Sequence, residues 1–460
     1  MAEPTAVDVV VVGAGLSGLI CARELRRQGL RLRLLEARQR WGGRMLARTV
    51  APGQSLELGG QWVGASHRRL ISLLEEQGLQ RYPSFDDGAG VFHWNGRARP
   101  APLLADFRSS LLFFEPSALE LPAAELEQAL AVQRRFAELV DRVPPRAPWS
   151  LDDSAALDRL SIAAWLEQQG ACDLAGYPLA WLARMGGSGG FEPYESSILH
   201  LAWTQAVAPQ HETPEAWLVT GGISQLAAGL AAELEEELQL GCPVAAIEQQ
   251  GGRVRLRSDG GEELVAAAAV VAVPPPLRLG IRFSPPLAPA LLALLQRSPM
   301  GAMVKVVALY RRPFWREQGL CGLGIGTLPF LELTVDSSAP DGPGLLVGFI
   351  AAERAVRWRG LAEAEQRRAV LRDLASLWGP GAAEPEQLLL HDWTAEPWSG
   401  GAFTSFFGAG AWSRYGAAWW QPHGRVVWAG TEVASRWPGY FEGAIEAGLS
   451  AAGQVRQLLG

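Results

Sequence analysis

Lysine is nearly absent from this chain: Lys305 is the only one among 41 basic residues in a sequence of 460. The 48 acidic residues outnumber the basic ones, and the formal net charge is −7. A chain with this balance has no excess of positive charge for binding nucleic acid or an anionic lipid surface. We therefore expect a small-molecule ligand rather than a nucleic acid partner.

Cysteine and histidine are also scarce. The chain has four cysteines, none in a CxxC pair, which excludes a disulfide framework and indicates a reducing compartment. Its six histidines are scattered without the spacing of a zinc site. We therefore predict no metal centre and a cytoplasmic location.

Long apolar runs are missing as well. The longest, residues 265–277, runs into three consecutive prolines and is too short to span a bilayer. Residues 1–10 show neither the basic start nor the apolar stretch of a secretory signal. We predict no membrane anchor, and we expect a monomer or a homodimer.

A glycine-rich turn stands near the start of the chain. The β-branched run 7–12 leads into Gly13, Gly15 and Gly18, and a helix and a second strand ending in Glu36 follow. In such a unit the first glycine permits a tight turn, the second lets a pyrophosphate approach the backbone, and the third lets the helix pack against the strand. Glu36 would accept hydrogen bonds from a ribose diol. The unit predicts a dinucleotide site, without a choice between NAD and FAD.

Two following segments favour FAD. EARQRWGGRM at 36–45 resembles the extended FAD signature, and LELGGQWVG at 56–64 resembles the next element of the glutathione-reductase-like FAD-binding fold. An NAD dehydrogenase needs neither segment. The FAD-binding residues that this resemblance implies are Arg38, Gly43, Arg44, Gly60, Gln61 and Trp62.

Three later segments extend the resemblance over the whole chain. FSPPL…MGAMVKVVALYRRPFW (283–315), DWTAEPWSGGAF (392–403) and VVWAGTEVASRWPGYFEGAIEAG (426–448) are similar to motifs of the flavin-containing monoamine oxidase family. The resemblance implies oxidation of an amine to an imine that hydrolyses to aldehyde and ammonia, with reduction of O2 to H2O2. The further FAD-binding residues that it implies are Val244, Trp393, Trp398, Gly430, Thr431, Glu432, Tyr440 and Phe441.

The same resemblance implies three catalytic residues. Phe403 and Tyr440 match an aromatic cage that guides the amine nitrogen to the flavin, since ring faces attract a cation and an apolar slot favours the neutral amine. Lys305, on a strand predicted over 303–310, matches a lysine that reaches flavin N5 through a water and supports reoxidation by O2. The residues alone leave an alternative, an edge-strand lysine whose ammonium lies in water.

One departure from the family concerns attachment of the cofactor. Animal monoamine oxidases bind FAD covalently through a cysteine, and Ala402 stands at that position here. Because no cysteine follows Cys321 in the chain, a thioether in this segment is excluded. We therefore predict non-covalent FAD.

The substrate stays open at this stage. An L-amino-acid oxidase needs a cation for the substrate carboxylate, for which Arg68, Arg69 and Arg184 are candidates, whereas a polyamine oxidase favours channel carboxylates such as Glu215 or Glu195. None of these residues lies in a matched motif. A desaturase that passes electrons to a quinone is another alternative. A non-catalytic flavoprotein is disfavoured because the lysine and both cage residues are present.

The order of elements predicts an α/β fold with two domains. Helical spacing recurs in the interior over 100–145 and 155–205, while both ends of the chain show strand–helix units. This pattern favours a discontinuous two-domain architecture. The resemblance implies that one domain is a Rossmann FAD-binding domain of the glutathione-reductase type and the other a substrate-binding domain of α+β type, with a mixed sheet and helices. The predicted FAD-binding domain comprises 1–82, 216–284 and 390–460, and the substrate-binding domain comprises 83–215 and 285–389.

Overall fold

In the computed structural model the chain folds around two large β-sheets, and the structure describes residues 5–51, 54–104, 110–187, 189–209 and 212–460. The first sheet contains β1 (Thr5–Val12), β2 (Leu32–Leu35), β9 (Leu238–Gln239), β10 (Val244–Gln250), β11 (Arg253–Ser258), β12 (Glu263–Val271), β13 (Arg282–Ser284) and β19 (Val426–Trp428). The second contains β6 (Ala89–Trp94), β7 (Arg97–Ala101), β14 (Met303–Tyr310), β15 (Leu320–Gly326), β16 (Leu331–Asp336), β17 (Gly344–Ala351) and β18 (Gln387–Asp392). Two small ribbons pair β3 (Ala47–Ala51) with β4 (Gln54–Glu57) and β5 (Arg81–Pro83) with β8 (Trp217–Val219).

Helices surround both sheets. They are α1 (Leu16–Arg27), α2 (Arg68–Glu76), α3 (Ala123–Arg142), α4 (Ser154–Arg159), α5 (Ile162–Gln168), α6 (Asp173–Met185), α7 (Ile198–Val207), α8 (Ser224–Glu233), α9 (Pro289–Leu295), α10 (Ala352–Arg359), α11 (Glu363–Trp378), α12 (Ala411–Tyr415) and α13 (Phe441–Leu459). Within the described ranges, no helix has both the length and the apolar content needed to cross a membrane.

The first sheet has a parallel centre. β1 lies between β2 and β12, and β19 also runs parallel to β12. Val9 and Val11 of β1 belong to one hydrophobic cluster and Val10 and Val12 to another, so the strand is buried on both faces. A parallel strand covered on both faces is a continuous apolar run, as residues 7–12 are. The carboxyl ends of these strands meet at one edge, which is where open α/β sheets bind their ligands.

The second sheet places Lys305 on an interior strand. β14 pairs with β17 on one side and β18 on the other, and Lys305 lies opposite Phe349 and His391. The alternation of β14 puts Met303 and Val307 in one hydrophobic cluster and their neighbours in another. Only 1% of Lys305 is exposed. The edge-strand alternative for Lys305 is therefore wrong.

The predicted helical region 100–145 is wrong in its first half. β7 continues to Ala101, a single short turn of helix spans Pro116–Ala118, and α3 begins only at Ala123. Prolines recur through this stretch and remove the amide donors that a helix needs. The part at 105–109 lies outside the described residues.

The two sheets suggest how the chain divides. The strands of the first sheet come from the three segments predicted for the FAD-binding domain, and those of the second come mainly from the other two. β18 crosses the predicted boundary at 389/390 and belongs to the second sheet. We propose that the predicted domains correspond to the two sheets, with this boundary moved past Asp392.

Candidate active site

A cavity of about 850 Å³ runs from the carboxyl edge of the first sheet to the second sheet. Its volume is in the range of cofactor and substrate sites. All predicted site residues except Gly18 and Glu432 line it. Those in its wall are Gly13, Gly15, Glu36, Arg38, Gly43, Arg44, Gly60, Gln61, Trp62, Val244, Lys305, Trp393, Trp398, Phe403, Gly430, Thr431, Tyr440 and Phe441.

One end of the cavity has the form of a dinucleotide site. Gly15 begins α1 with its backbone open to the cavity, since a Cβ there would have only the Cα of Gly43 as neighbour, 3.9 Å away. The Glu36 carboxylate accepts the N–H of Ala14 at Oε2 and the N–H of Arg38 at Oε1, both at 2.9 Å, and each oxygen keeps a lone pair for a ribose. Gly18 lies behind the wall, where a Cβ would come 1.9 Å from the Gly13 carbonyl oxygen. Its lack of a side chain lets α1 pack on the turn.

Two more predicted residues connect loops that are distant in sequence. Arg38 donates from Nη2 to Ser399 Oγ at 2.8 Å and forms an ion pair with Glu396 at 3.3 Å. These bonds attach the turn after β2 to the segment that carries Trp393 and Trp398. The Trp393 indole N–H donates to the Leu58 carbonyl at 2.9 Å. The cavity wall is thus held together across both sheets.

Glu432 lies outside the wall and acts through Arg44. Arg44 Nη1 donates to Glu432 Oε1 and to the carbonyl of Phe403, both at 2.7 Å. Burial opposes ionisation of Glu432, but the charge and hydrogen bond of Arg44, a backbone hydrogen bond and the charge of Arg278 together outweigh it and lower the pKa of the carboxyl group. Its Oε2 has no hydrogen-bond partner among the described residues and lies beside Gly430. The Glu432 carboxylate therefore fixes the position of the Arg44 side chain in the cavity wall.

Lys305 connects the second sheet to the double-glycine loop. Its Nζ donates to the Gly59 carbonyl at 2.7 Å and to Gln61 Oε1, and it lies 5.5 Å from the centre of the Trp62 ring. An ammonium has three donors, so one proton remains for the cavity. Burial lowers the pKa of Lys305 to about 7, and the charge of Glu57 opposes this shift. A compact donor whose pKa is lowered by burial therefore lines the cavity.

The pKa of Lys305 is open to direct measurement because the chain contains no other lysine. Labelling with lysine that carries 13C at Cε should give one side-chain signal, and we expect it to titrate near pH 7 rather than near the ordinary value of 10.5. The physical reason is that burial penalises the charged form of the amine. A titration by NMR with a midpoint near the ordinary value would contradict the buried environment.

The two predicted cage rings also lie in the wall. Phe403 packs edge-on against Phe349 with ring centres 5.5 Å apart. Tyr440 packs against His67 and Trp437, with ring centres at 5.6 and 5.2 Å. Burial lowers the pKa of His67 to about 4. The imidazole is therefore neutral near pH 7 and does not repel a cation that approaches Tyr440.

Of the charged residues considered for substrate recognition, some line the cavity and the others do not. Arg184 is paired with Glu332 at 2.8 Å, and Arg69 with Glu442 at 3.1 Å. Neither arginine, nor Arg68 or Glu195, is among the described residues that line the cavity, whereas Glu215 is. Within the described ranges, no group of three or more His, Cys, Asp or Glu side chains is placed to hold a metal ion.

Several wall residues escaped prediction from the sequence. Phe349 lies opposite Lys305 on β17, and Leu333 and Val335 come from β16. Asp86 follows β5. Their positions depend on which strands pair, and an apolar strand carries no local signal of its neighbours. Ser399 could have been predicted as a wall residue, because it lies inside segment 392–403, which resembles a family motif.

Comparisons with known sequences and solved structures match nearly the whole chain. The sequence model of the family described as flavin containing amine oxidoreductase matches residues 16–456. An L-amino acid dehydrogenase of Synechocystis is 37% identical over 100% of this chain and 97% of its own length. A Mycobacterium tuberculosis protein named as flavin-containing monoamine oxidase AofH is 34% identical, with 99% and 98% covered. The solved structure of wild-type putrescine oxidase bound to putrescine has a TM-score of 0.90 at 28% identity, covering 99% of this chain and 100% of that one. The resemblance and the fold predicted from the sequence are confirmed: the chain belongs to the flavin-containing amine oxidoreductase family, whose cofactor is FAD.

Proposed function

We propose that this enzyme converts an amine to an imine that hydrolyses to aldehyde and ammonia, with O2 reduced to H2O2. The observation that carries the proposal is one continuous cavity whose wall holds the dinucleotide-binding turn at Gly13 and Gly15, the ammonium of Lys305, and the rings of Phe403 and Tyr440. A cofactor bound at one end of the cavity can react with an amine bound at the other end only if the two ends are connected.

The described residues fit FAD. The open backbone at Gly15 and the lone pairs of Glu36 are suited to phosphate and ribose groups. When bound, FAD supplies the acceptor for the hydride equivalent that leaves the carbon bearing the amine.

The protein's own residues bind, desolvate and orient the amine. Phe403 and Tyr440 offer ring faces that attract a cation, and the apolar wall around them favours the neutral amine that reacts. The rate of flavin reduction by the amine, measured in the absence of O2, should therefore rise with pH as the substrate amine loses its proton. Lys305 holds a proton at Nζ next to the cavity, and we assign it to the reduction of O2. A rate that stays constant from about pH 7 to 10 would contradict the entry of a neutral amine.

L-Amino acid oxidation is the second candidate, and the relative from Synechocystis favours it. It would need a cation for the substrate carboxylate. Among the described wall residues the basic side chains are Arg38, Arg44 and Lys305, and each already has a partner. A partnered cation has less to offer a carboxylate, so the arrangement of charges supports an amine without a carboxylate.

A peroxide-coupled screen tests the proposed function. The purified yellow protein should produce peroxide, ammonia and aldehyde in equal amounts with aryl-alkyl or aliphatic amines. Amino acids should react more slowly. Oxidation of amines only in the presence of an added quinone or dye would contradict the role of O2 and indicate a dehydrogenase.

The mode of FAD attachment has a simple test. Ala402 lines the cavity, and we propose that FAD is held without a covalent bond. Precipitation with acid should release all of the flavin into the supernatant. Yellow colour that stays with the protein pellet would contradict this. The cytoplasmic location and the monomeric or homodimeric state remain predictions.

A further inference from the structure

Arg278 is a buried guanidinium at the carboxyl edge of the first sheet. It lies in the short helix Pro275–Gly280, and 0% of it is exposed. Its Nε donates to the Val273 carbonyl at 3.3 Å, and its Nη2 donates to the Ala429 carbonyl at 3.1 Å. Val273 follows β12 and Ala429 follows β19. One side chain therefore joins the ends of two parallel strands at the edge where open α/β sheets bind their ligands.

The positive charge of Arg278 has no ion-pair partner within the described ranges, where Nη1 also lacks a hydrogen-bond partner. The guanidinium carbon lies 4.9 Å from the centre of the Trp428 ring and 5.9 Å from that of the Trp419 ring. Burial lowers the pKa of Arg278 to about 10, and the charge of Glu432 opposes this shift, so the group is charged near pH 7. The carboxylate of Glu432 is itself paired with Arg44. Because a buried charge is costly without a paired opposite charge, the charge of Arg278 calls for an anion from outside the protein.

Arg278 lies one layer behind the cavity wall. Val273 and Gly430 both line the cavity, whereas Arg278 does not. A Cβ on Gly430 would lie 3.9 Å from Arg278 Nη2, and a Cβ on Gly13 would lie 3.3 Å from Val273 Cγ1. The two segments that Arg278 connects therefore form the wall beside the dinucleotide-binding turn.

The charges around Gly430 favour an anion in this part of the cavity. Arg44 and Arg278 both attract the carboxylate of Glu432, so two positive groups share one negative group and an excess of positive charge remains. Charges in a protein interior act more strongly than in water because the effective dielectric constant is lower. Arg278 can therefore attract a pyrophosphate beside Gly430 without contacting it.

We propose that Arg278 is a positioning residue for the cofactor: it fixes the wall at Val273 and Gly430, and its charge strengthens the binding of the negatively charged pyrophosphate of FAD. The proposal concerns how tightly the protein holds FAD. It does not depend on which amine is oxidised or on which acceptor reoxidises the flavin.

The test measures the dissociation constant of FAD from the recovery of free-flavin fluorescence when the holoenzyme is diluted. Arg278→Met should weaken binding about ten- to hundredfold, the effect of removing a nearby unit charge at an effective dielectric constant of about 20. Arg425→Met is the matched control, because Arg425 Nη1 donates to the Ala267 carbonyl at 3.1 Å near the opposite end of β19 and the residue does not line the cavity. The control should keep the wild-type affinity. Denaturant midpoints in excess FAD check the fold of each variant.

Arg278→Lys separates the charge from the two hydrogen bonds. A buried lysine keeps its charge at about pH 6 and should lose it as the pH rises to about 9, because burial lowers its pKa. The charged groups that act on this position, Glu432 and Arg44, keep their charge over this range. The affinity relative to wild type should therefore be largely preserved at low pH and fall toward that of Arg278→Met at high pH. This ratio cancels any effect of Lys305, which both proteins contain.

Any of three results would overturn the assignment. Unchanged FAD affinity in Arg278→Met would remove the residue from cofactor binding. An equal loss in Arg278→Met and Arg278→Lys at every pH would remove the role of the charge. An equal loss in Arg425→Met would show that the sheet as a whole had been weakened. If Arg278→Met does not fold, Arg278→Lys decides alone, and a ratio to wild type that stays constant with pH overturns the proposal.

Discussion

Replacement of Lys305 by methionine is expected to leave FAD bound and to slow its reoxidation by O2 about a hundredfold, the usual cost of losing a positioned donor in an active site. Methionine is unbranched and of similar length, so it fits the buried strand position, but it has no proton to donate. The Gly59 carbonyl and Gln61 Oε1 lose their ammonium donor, which lowers stability by about 1–3 kcal/mol for each.

The two half-reactions separate a chemical role of Lys305 from a structural one. Rapid mixing with amine in the absence of O2 measures the first, and mixing of the amine-treated enzyme with O2 measures the second. Only the second should slow strongly in Lys305→Met. Lys305→Arg is the matched control for charge, and we expect it to react slowly too, because a planar guanidinium cannot replace a compact ammonium that titrates near neutrality. Normal O2 kinetics in Lys305→Met would remove the lysine from the oxidative step.

Gly15→Ala is expected to give a folded protein that binds FAD about ten- to hundredfold more weakly, the range for overpacking a close contact. The backbone at Gly15 has φ −70° and ψ 171°, which alanine adopts without strain. Its Cβ would meet only the Gly43 Cα at 3.9 Å, so the protein itself has room for it. The methyl group would instead occupy the side of the turn where a pyrophosphate approaches.

Two other glycines provide controls for this prediction. Gly18→Ala would place a Cβ 1.9 Å from the Gly13 carbonyl oxygen, so it should destabilise the fold itself. Gly453→Ala in α13 meets no atom within 4 Å, so it should keep both the fold and the cofactor. The ratio of flavin to protein absorbance measures cofactor retention, and the denaturant midpoint measures the fold. Gly15→Ala with wild-type affinity for FAD would contradict the position assigned to the pyrophosphate.

Local signals predicted the first sheet and the glycine turn at its carboxyl edge well. The glycine turn between β1 and α1, the end of β2 at Leu35 and the final helix α13 all follow from strand and helix periods within about 30 residues of sequence. The interior position of Lys305 in the second sheet was harder to predict from the sequence. An apolar strand shows the same alternation at an edge and in the interior, and only its pairing with β17 and β18 decides between them.

The substrate end of the cavity was the part least accessible from sequence. Glu215 could not be distinguished from Glu195, because neither lies in a matched motif or in a periodic pattern. The structure separates them through the pairing of Val63 with Trp217, which brings distant segments together. For Glu432 the motif could be recognised from the sequence, but the hydrogen bond with Arg44 could not be predicted, because it depends on the folded geometry.

The most direct test of the amine oxidase activity is a single turnover followed in two steps. Holoenzyme mixed with an aryl-alkyl or aliphatic amine in the absence of O2 should lose its flavin absorbance. Admission of air should then restore the absorbance, with one H2O2 formed for each amine oxidised. An absorbance that falls with amine but returns only with a quinone or dye, without peroxide, would contradict the account.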